Sequence, residues 1–266
     1  MYLAYWNLRE KPFENTPDPK FLFHSRQHEE GLSRLIYVVR EGKGGGLLTG
    51  TYGCGKTLLS RALAKELESD IYKVASLTNP RLNDVEMLKM ILHFLGGTAI
   101  PSGKGEVLMA LEKALTDNLR DGKKTVVVID EAHAITEPEI FEEIRLLLNY
   151  QTQNQFLLSL LILGQDELKE RIQANKQLDQ RIAIRYHLEG LNYEETAGYI
   201  HHRLLIAGAK SEIFDESALS MVYQRSGGIP RRINQICDMS LLTGMTRKCE
   251  KITGDIIQEA VESLEK

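Results

Sequence analysis

Cysteine is scarce in this chain of 266 residues. Cys54, Cys237 and Cys249 are the only three, and no two form a C-x-x-C pair. An odd count at these spacings excludes a disulfide framework and a zinc knuckle, and it fits a reducing compartment. Long hydrophobic runs are also missing. The longest near the middle, Phe156 to Leu163, is interrupted by Ser159, whereas a membrane-crossing helix needs about 20 apolar residues. The opening MYLAYWNLREKPF has no basic stretch followed by an apolar one, so it does not read as a secretory signal. A soluble, cytoplasmic protein is the expectation. Excess positive charge is lacking too. The 33 Lys and Arg stand against 37 Asp and Glu, giving −4. That removes the global signature of a nucleic-acid binder and leaves only local patches. Internal repeats and low-complexity segments are absent. What remains is an ordinary globular balance, 42% apolar and 26% charged, enough for a sizeable core in one large domain or a large one plus a small one.

Short apolar runs alternate with helical periods. Leu32, Leu35, Ile36 and Val39 recur at helical spacing. The pair Leu47-Leu48 precedes GTYGCGKT at 50–57, and Leu58, Leu59, Ala62, Leu63 and Leu67 continue as a helix. IYKVASL (71–77) reads as a strand. Helical stripes follow at Leu82 to Leu95 and at Leu108 to Leu119, separated by a turn-rich loop, 96–105. TVVVID (125–130) and FLLSLLIL (156–163) have the continuous apolar character of buried parallel strands. Between them Thr136 and Glu139, with Pro138, are spaced as a capping box. IAIRYHL (182–188) alternates, as an edge strand does. Strands alternating with helices predict an α/β fold with a parallel sheet. After Gly190 the strand signals stop. Asn192 with Glu195, Asp215, Pro230 and Thr253 mark four helix starts. The expected organisation is a core over 1–190 and an all-helical lid over 191–266.

The segment Gly50-x4-Gly55-Lys56-Thr57 is a complete Walker A pattern. With Gly near 7% of residues, four fixed positions arise by chance in roughly 1% of chains this long. The pattern has a physical logic. Glycines let successive backbone N–H groups face one anion, and the following helix presents its positive end. Gly50, Thr51, Tyr52, Gly53, Cys54, Gly55 and Leu58 form the cradle. Lys56 reaches the β- and γ-phosphates of ATP, and the Thr57 hydroxyl ligates Mg2+. Magnesium needs a second acid. Asp130 ends the apolar strand and is expected to hold the ion through its water shell, while Glu131 polarises the attacking water. Asp130-Glu131-Ala132-His133 also spells the box of a helicase class. Those motors need two nucleotide-binding lobes and this chain has room for one, so His133 reads as a helix-entry residue. Cys54 lies where a helix N-terminus can lower a thiol pKa, so its alkylation would block nucleotide binding; the plainer reading is a small residue filling a tight loop. His201 and His202 point about 100° apart on a helix and do not converge on a metal.

Downstream arginines narrow the reading. Gly227-Gly228-Ile229-Pro230-Arg231-Arg232 resembles the sensor-2 motif of AAA+ ATPases, in which a lid arginine meets the γ-phosphate. Arg231 matches it directly, with Arg232 as the alternative. In that family the arginine finger comes from the region of the last strand and enters a neighbouring subunit. Arg181 is favoured over Arg185, whose strand position would bury or pair it. Sensor 1 should follow FLLSLLIL, where Gln165 keeps a polar amide at a position that is commonly Asn, Ser or Thr.

The opening YLAYWNLREKPFENTPDPKFLF, the Walker motifs, GQDEL, QLDQRIAIRYHLEGL and GGIPRRINQICDMSLL together resemble the ExeA family, the ATPase modules of general secretion pathway A proteins. The resemblance covers essentially the whole chain. It implies an AAA+ ATP hydrolase that assists assembly of a type II secretion system with a membrane partner. It also implies a homo-oligomer with the finger acting in trans. Phe21 to His28 are expected near the adenine pocket. The secretion proteins continue beyond the lid into a membrane helix, so this chain is expected to be a fragment of such a protein or a stand-alone relative. The alternative is a stand-alone ATP-dependent DNA-binding transposition regulator. Its phosphate contacts would come from Lys123-Lys124, Arg231-Arg232 and Arg247-Lys248 with Lys251.

Overall fold

A computed structural model describes residues 1–67 and 70–265. In chain order the elements are α1 (Tyr2–Tyr5), a 3₁₀ turn at Pro19–Phe21, α2 (Arg26–Arg40), β1 (Gly45–Gly50), α3 (Lys56–Glu66), β2 (Tyr72–Leu77), α4 (Asp84–Phe94) and α5 (Lys104–Arg120). Then follow β3 (Lys124–Ile129), a 3₁₀ turn at Ala132–Ala134, α6 (Pro138–Leu147), β4 (Leu158–Gly164), α7 (Glu167–Ala174), α8 (Lys176–Asp179) and β5 (Ile182–Leu188). The chain ends in α9 (Tyr193–Ile206), α10 (Glu216–Ser226), α11 (Pro230–Arg247) and α12 (Gly254–Leu264).

Two compact units result. One holds Glu29–Gly50 and Leu59–Leu188. Its five strands are all parallel, in the order β2-β3-β4-β1-β5. Burial follows position. Every residue of β1 and β4 is buried, and so is all of β3 except Lys124. The edge strand β5 alternates, and β2 is half-buried except at Ala75 and Leu77. The continuous apolar runs thus fill the middle of the sheet, and the alternating run takes an edge, as the side-chain period requires. Met87, Leu88, Ile91, Leu111 and Leu115 from α4 and α5, with Ile140, Ile144 and Leu147 from α6, complete this core with Val127, Ile129 and Leu160 of the sheet.

The other unit holds Met1–His28, Thr51–Leu58 and Glu189–Lys266. A single cut near Gly190 assigns the N-terminal segment to the sheet. In the structure Tyr2, Trp6, Leu8 and Phe13 instead join Ile200, Leu204, Val222, Ile233 and Ile236 in a second core. Polar side chains fix this. Trp6 donates to the Leu241 carbonyl at 2.9 Å. Buried Arg203 donates to the carbonyls of Pro12 and Glu14 and, at 2.6 Å, to the Tyr199 hydroxyl, which bonds Asn234. A buried guanidinium requires such a full set of acceptors. The backbone of the opening segment supplies two of them.

Local signals differ in how they fare. Asn192 and Glu195 form a reciprocal capping box on α9, and Asp215 caps α10 through Ala218. Pro230 is the first residue of α11. The box expected from Thr136 and Glu139 does not form. Pro138 opens α6 and makes Glu137 the N-cap residue, without a side-chain bond. Thr253 precedes α12 but makes no side-chain cap bond either. The short helices α1, α7 and α8 carry too few periods to be read from pattern.

Candidate active site

The Walker A segment Thr51–Leu58 belongs to the unit of C-terminal helices. Gly53 and Gly55 have φ of 84° and 104°, a region that residues with a Cβ rarely enter. The space around them is as restrictive. A Cβ on Gly53 would come within 2.7 Å of the Arg231 Cβ, and one on Gly55 within 2.9 Å of His28 Nε2. The Cys54 N–H closes a turn on the Thr51 carbonyl at 3.2 Å. Lys56 is 6% exposed and donates to the Thr51 carbonyl at 3.0 Å. The ammonium therefore lies along the loop it is expected to complete. Cys54 is fully buried, which works against ready alkylation of its thiol.

His28 holds this loop from the N-terminal segment. Its Nε2 lies 2.9 Å from the Cys54 carbonyl, and its Nδ1 lies 2.7 Å from the Ser25 hydroxyl. A carbonyl only accepts, so Nε2 carries the proton and Nδ1 accepts from Ser25. Burial pushes the imidazole below its ordinary pKa, opposed in part by the bond to Cys54. Beside it is an apolar cavity of about 30 Å3 lined by Leu22, Phe23, His28, Leu58, Leu191 and Pro230. Of the segment 21–28 expected near the adenine, Leu22, Phe23 and His28 line this cavity.

The sheet unit carries the second set. In a parallel sheet the C-terminal strand ends share one edge, the usual ligand edge of such folds. β4 lies between β3 and β1, with Ile129 opposite Ile162 and Gly164 opposite Thr49. Asp130 and Gln165 therefore end adjacent strands at the edge where β1 ends at Gly50. Asp130 is 2% exposed, and its Oδ1 accepts the Glu131 N–H at 2.9 Å. Glu131 adopts φ 54° and ψ 30°, a left-handed conformation. Such a conformation in a non-glycine residue costs on the order of 1–3 kcal/mol and clusters at functional sites. Its Oε2 lies 3.3 Å from His133 Nε2. The Gln165 side-chain amide lies 2.8 Å from the same nitrogen, and the Gln165 N–H donates to His133 Nδ1 at 3.3 Å. His133 stands in the 3₁₀ turn before α6, bonded to two of the residues singled out from sequence.

The arginines separate cleanly. Arg231 stacks over the Tyr52 ring, 4.4 Å from its centroid, and its N–H donates to the Gly53 carbonyl at 3.2 Å. Arg232 pairs with Glu265 at 3.2 Å. In the sheet unit Arg185 is tied to Asp179 at 2.7 Å, the pairing that its strand position suggested. Arg181 is half-buried and donates to the Leu148 carbonyl at 2.8 Å. Sequence reasoning missed His133, the Ser25–His28 latch and the Tyr52 stack. The only available signal for the first was its place three residues after Asp130. Among the described residues no group of three or more His, Cys, Asp or Glu is arranged to hold a metal. A Thr57–Asp130 pair is not such a group. No helix among them is long and apolar enough to cross a membrane.

Residues 39–172, just over half of the chain, match the family described as AAA domain. The chain belongs to the AAA family. It is also 38% identical over 269 aligned residues to General secretion pathway protein A of Aeromonas hydrophila, covering 98% of this chain and 48% of the relative. The chain thus spans about half the length of the curated relative it matches. Among solved structures it resembles Cdc6p of Pyrobaculum aerophilum, with a TM-score of 0.73, 17% identity and coverage of 92% of this chain and 70% of the other. The Aeropyrum pernix ORC1 protein, solved in complex with DNA, gives 0.70, 17%, 96% and 70%. The Thermotoga maritima RuvB Holliday junction branch migration motor gives 0.61, 20%, 96% and 74%. These likenesses establish the AAA+ fold, and the family is one of nucleotide-binding proteins.

Proposed function

We propose that this chain is an ATP hydrolase serving the assembly of a type II secretion system. The 38% identity to General secretion pathway protein A across nearly the whole chain carries that reading. The loop chemistry supports ATP. Two glycines in positive φ free the loop N–H groups for phosphate oxygens, and Lys56 lies buried along the same loop. Thr57 and Asp130 are the residues that would hold Mg2+, one by its hydroxyl and one through water. When bound, Mg2+ neutralises charge on the β- and γ-phosphates. Lys56 and Arg231 bind and orient the phosphate chain. Glu131 takes a proton from the attacking water. Gln165 senses the γ-phosphate from the end of β4. Arg181 completes the site of a neighbouring copy in a homo-oligomer. The secretion partner at the membrane is inferred from the relative alone.

The DNA-binding alternative has less support. Three of its cations are taken by carboxylates: Arg232 by Glu265, Arg247 by Glu259 and Lys251 by Glu212. One protein tests both readings. Glu131→Gln should bind ATP normally and turn it over at least ~100-fold more slowly, the usual size of a general-base loss. Turnover at the wild-type rate would refute the assignment. Tight, salt-sensitive binding of a random duplex by the ATP-loaded variant, read by fluorescence anisotropy, would favour the DNA reading.

A further inference from the structure

The proposed chemistry gives Glu131 one task and leaves His133 none. The geometry argues otherwise. His133 Nδ1 accepts the Gln165 N–H at 3.3 Å, so the ring proton sits on Nε2. That proton faces one acceptor, Glu131 Oε2 at 3.3 Å, and the Gln165 side-chain nitrogen at 2.8 Å, and two donors cannot bond each other. The amide must therefore present its carbonyl oxygen to the ring. The packing that allows this is tight. A Cβ on Gly164 would lie 3.0 Å from the His133 backbone nitrogen, so the end of β4 and the turn after β3 meet closely only because residue 164 is glycine. The turn also holds Glu131 in its left-handed conformation, which costs energy that the contacts of its side chain help offset.

We propose that His133 is a positioning residue for Glu131, controlled by Gln165. One N–H serves one acceptor well. While the Gln165 carbonyl holds it, the Glu131 carboxylate is loosely placed. When Gln165 turns its amide to a γ-phosphate, the His133 proton passes wholly to Glu131 Oε2. That fixes the carboxylate and leaves Oε1 to accept the proton of the attacking water. A base oriented by a second side chain, itself fixed by a third, is a recurrent arrangement in hydrolysis. The inference rests on Glu131 being the base, as proposed above.

The test compares His133→Ala, His133→Gln, Glu131→Gln and the Glu131→Gln/His133→Ala double variant in steady-state ATP hydrolysis. Binding of a fluorescent ATP analogue and the melting temperature are measured alongside. His133→Ala should lower kcat about tenfold or more with KM, nucleotide affinity and melting temperature near wild type. His133→Gln, which keeps an N–H near the Nε2 position, should recover most of the loss. The double variant should be no slower than Glu131→Gln alone. Wild-type or raised kcat in His133→Ala, with Glu131→Gln inactive, would overturn the role of His133 and leave the base assignment standing. A loss matched by weaker binding or lower melting temperature, without rescue by Gln, would also overturn it in favour of a purely structural residue. Wild-type turnover in Glu131→Gln would overturn both together.

Discussion

The two units hold their functional candidates in different ways. In the sheet unit, Asp130, Glu131 and Gln165 stand at strand ends and are engaged by other polar groups, with His133 at the centre. In the helical unit, the phosphate loop is shaped by backbone geometry and close packing. Two positive-φ glycines, a buried histidine and an arginine stacked on a tyrosine do the shaping. The first arrangement suits groups that must exchange partners during a reaction. The second suits a cradle that must keep its shape. Changes in the sheet unit should therefore act on turnover, and changes in the helical unit on nucleotide affinity and loop integrity.

The largest expected effect lies in the sheet unit. Arg181→Ala should lower turnover about a thousandfold in assembled protein, because an arginine supplied to a neighbouring site commonly contributes that much. Nucleotide affinity should hold. Mixing Arg181→Ala with Glu131→Gln subunits should restore activity, since each supplies what the other lacks. Its bond to the Leu148 carbonyl sharpens the experiment. If Arg181 only braces α6 against β5, the variant melts at lower temperature and mixing restores nothing.

Much of this contrast was legible in sequence because it rests on short-range rules. The apolar runs at 125–130 and 156–163 read as buried strands, and the alternation at 182–188 as an edge. The Walker A spacing gave the loop. What was not legible depends on contacts between distant segments. Residues 1–28 look like an entry to the core until Arg203 and Trp6 tie them to the helices after Glu189. His133 looks like a helix entry until β4 brings Gln165 beside it. Tyr52 was placed in the cradle as a variable position of the loop, with no sign that Arg231 would stack on its ring. The cap at Thr136 failed because Pro138 fixes the first turn of α6 and moves the N-cap to Glu137.

An intermediate effect is expected in the helical unit. The Tyr52 ring holds the Arg231 guanidinium at 4.4 Å, and such a contact contributes about 0.5–2 kcal/mol. Tyr52→Leu should weaken ATP binding and kcat/KM by several-fold, while Tyr52→Phe, which keeps the ring face, should retain most of both. Equal losses in the two variants would point to the hydroxyl instead. A loss confined to kcat would blur the division between the units, because it would place a turnover effect in the cradle.

The smallest effect tests whether the cradle depends on a neutral histidine. Burial lowers the His28 pKa in the folded protein, while the unfolded chain titrates near 6.5. Above that value neither state binds the proton, and the latch from Ser25 to the Cys54 carbonyl contributes fully. As pH falls below it, the unfolded state takes up protons before the folded one does, so stability declines until the folded ring also titrates. Wild-type protein should therefore melt at lower temperature at pH 5.5 than at pH 7.5, and part of that difference should vanish in His28→Gln. Each kcal/mol involved moves the midpoint by about 2–4 °C in a chain of this size. An identical pH dependence in the variant would show that other groups carry it. The phosphate loop would then owe its shape to Gly53 and Gly55 rather than to the imidazole packed against them.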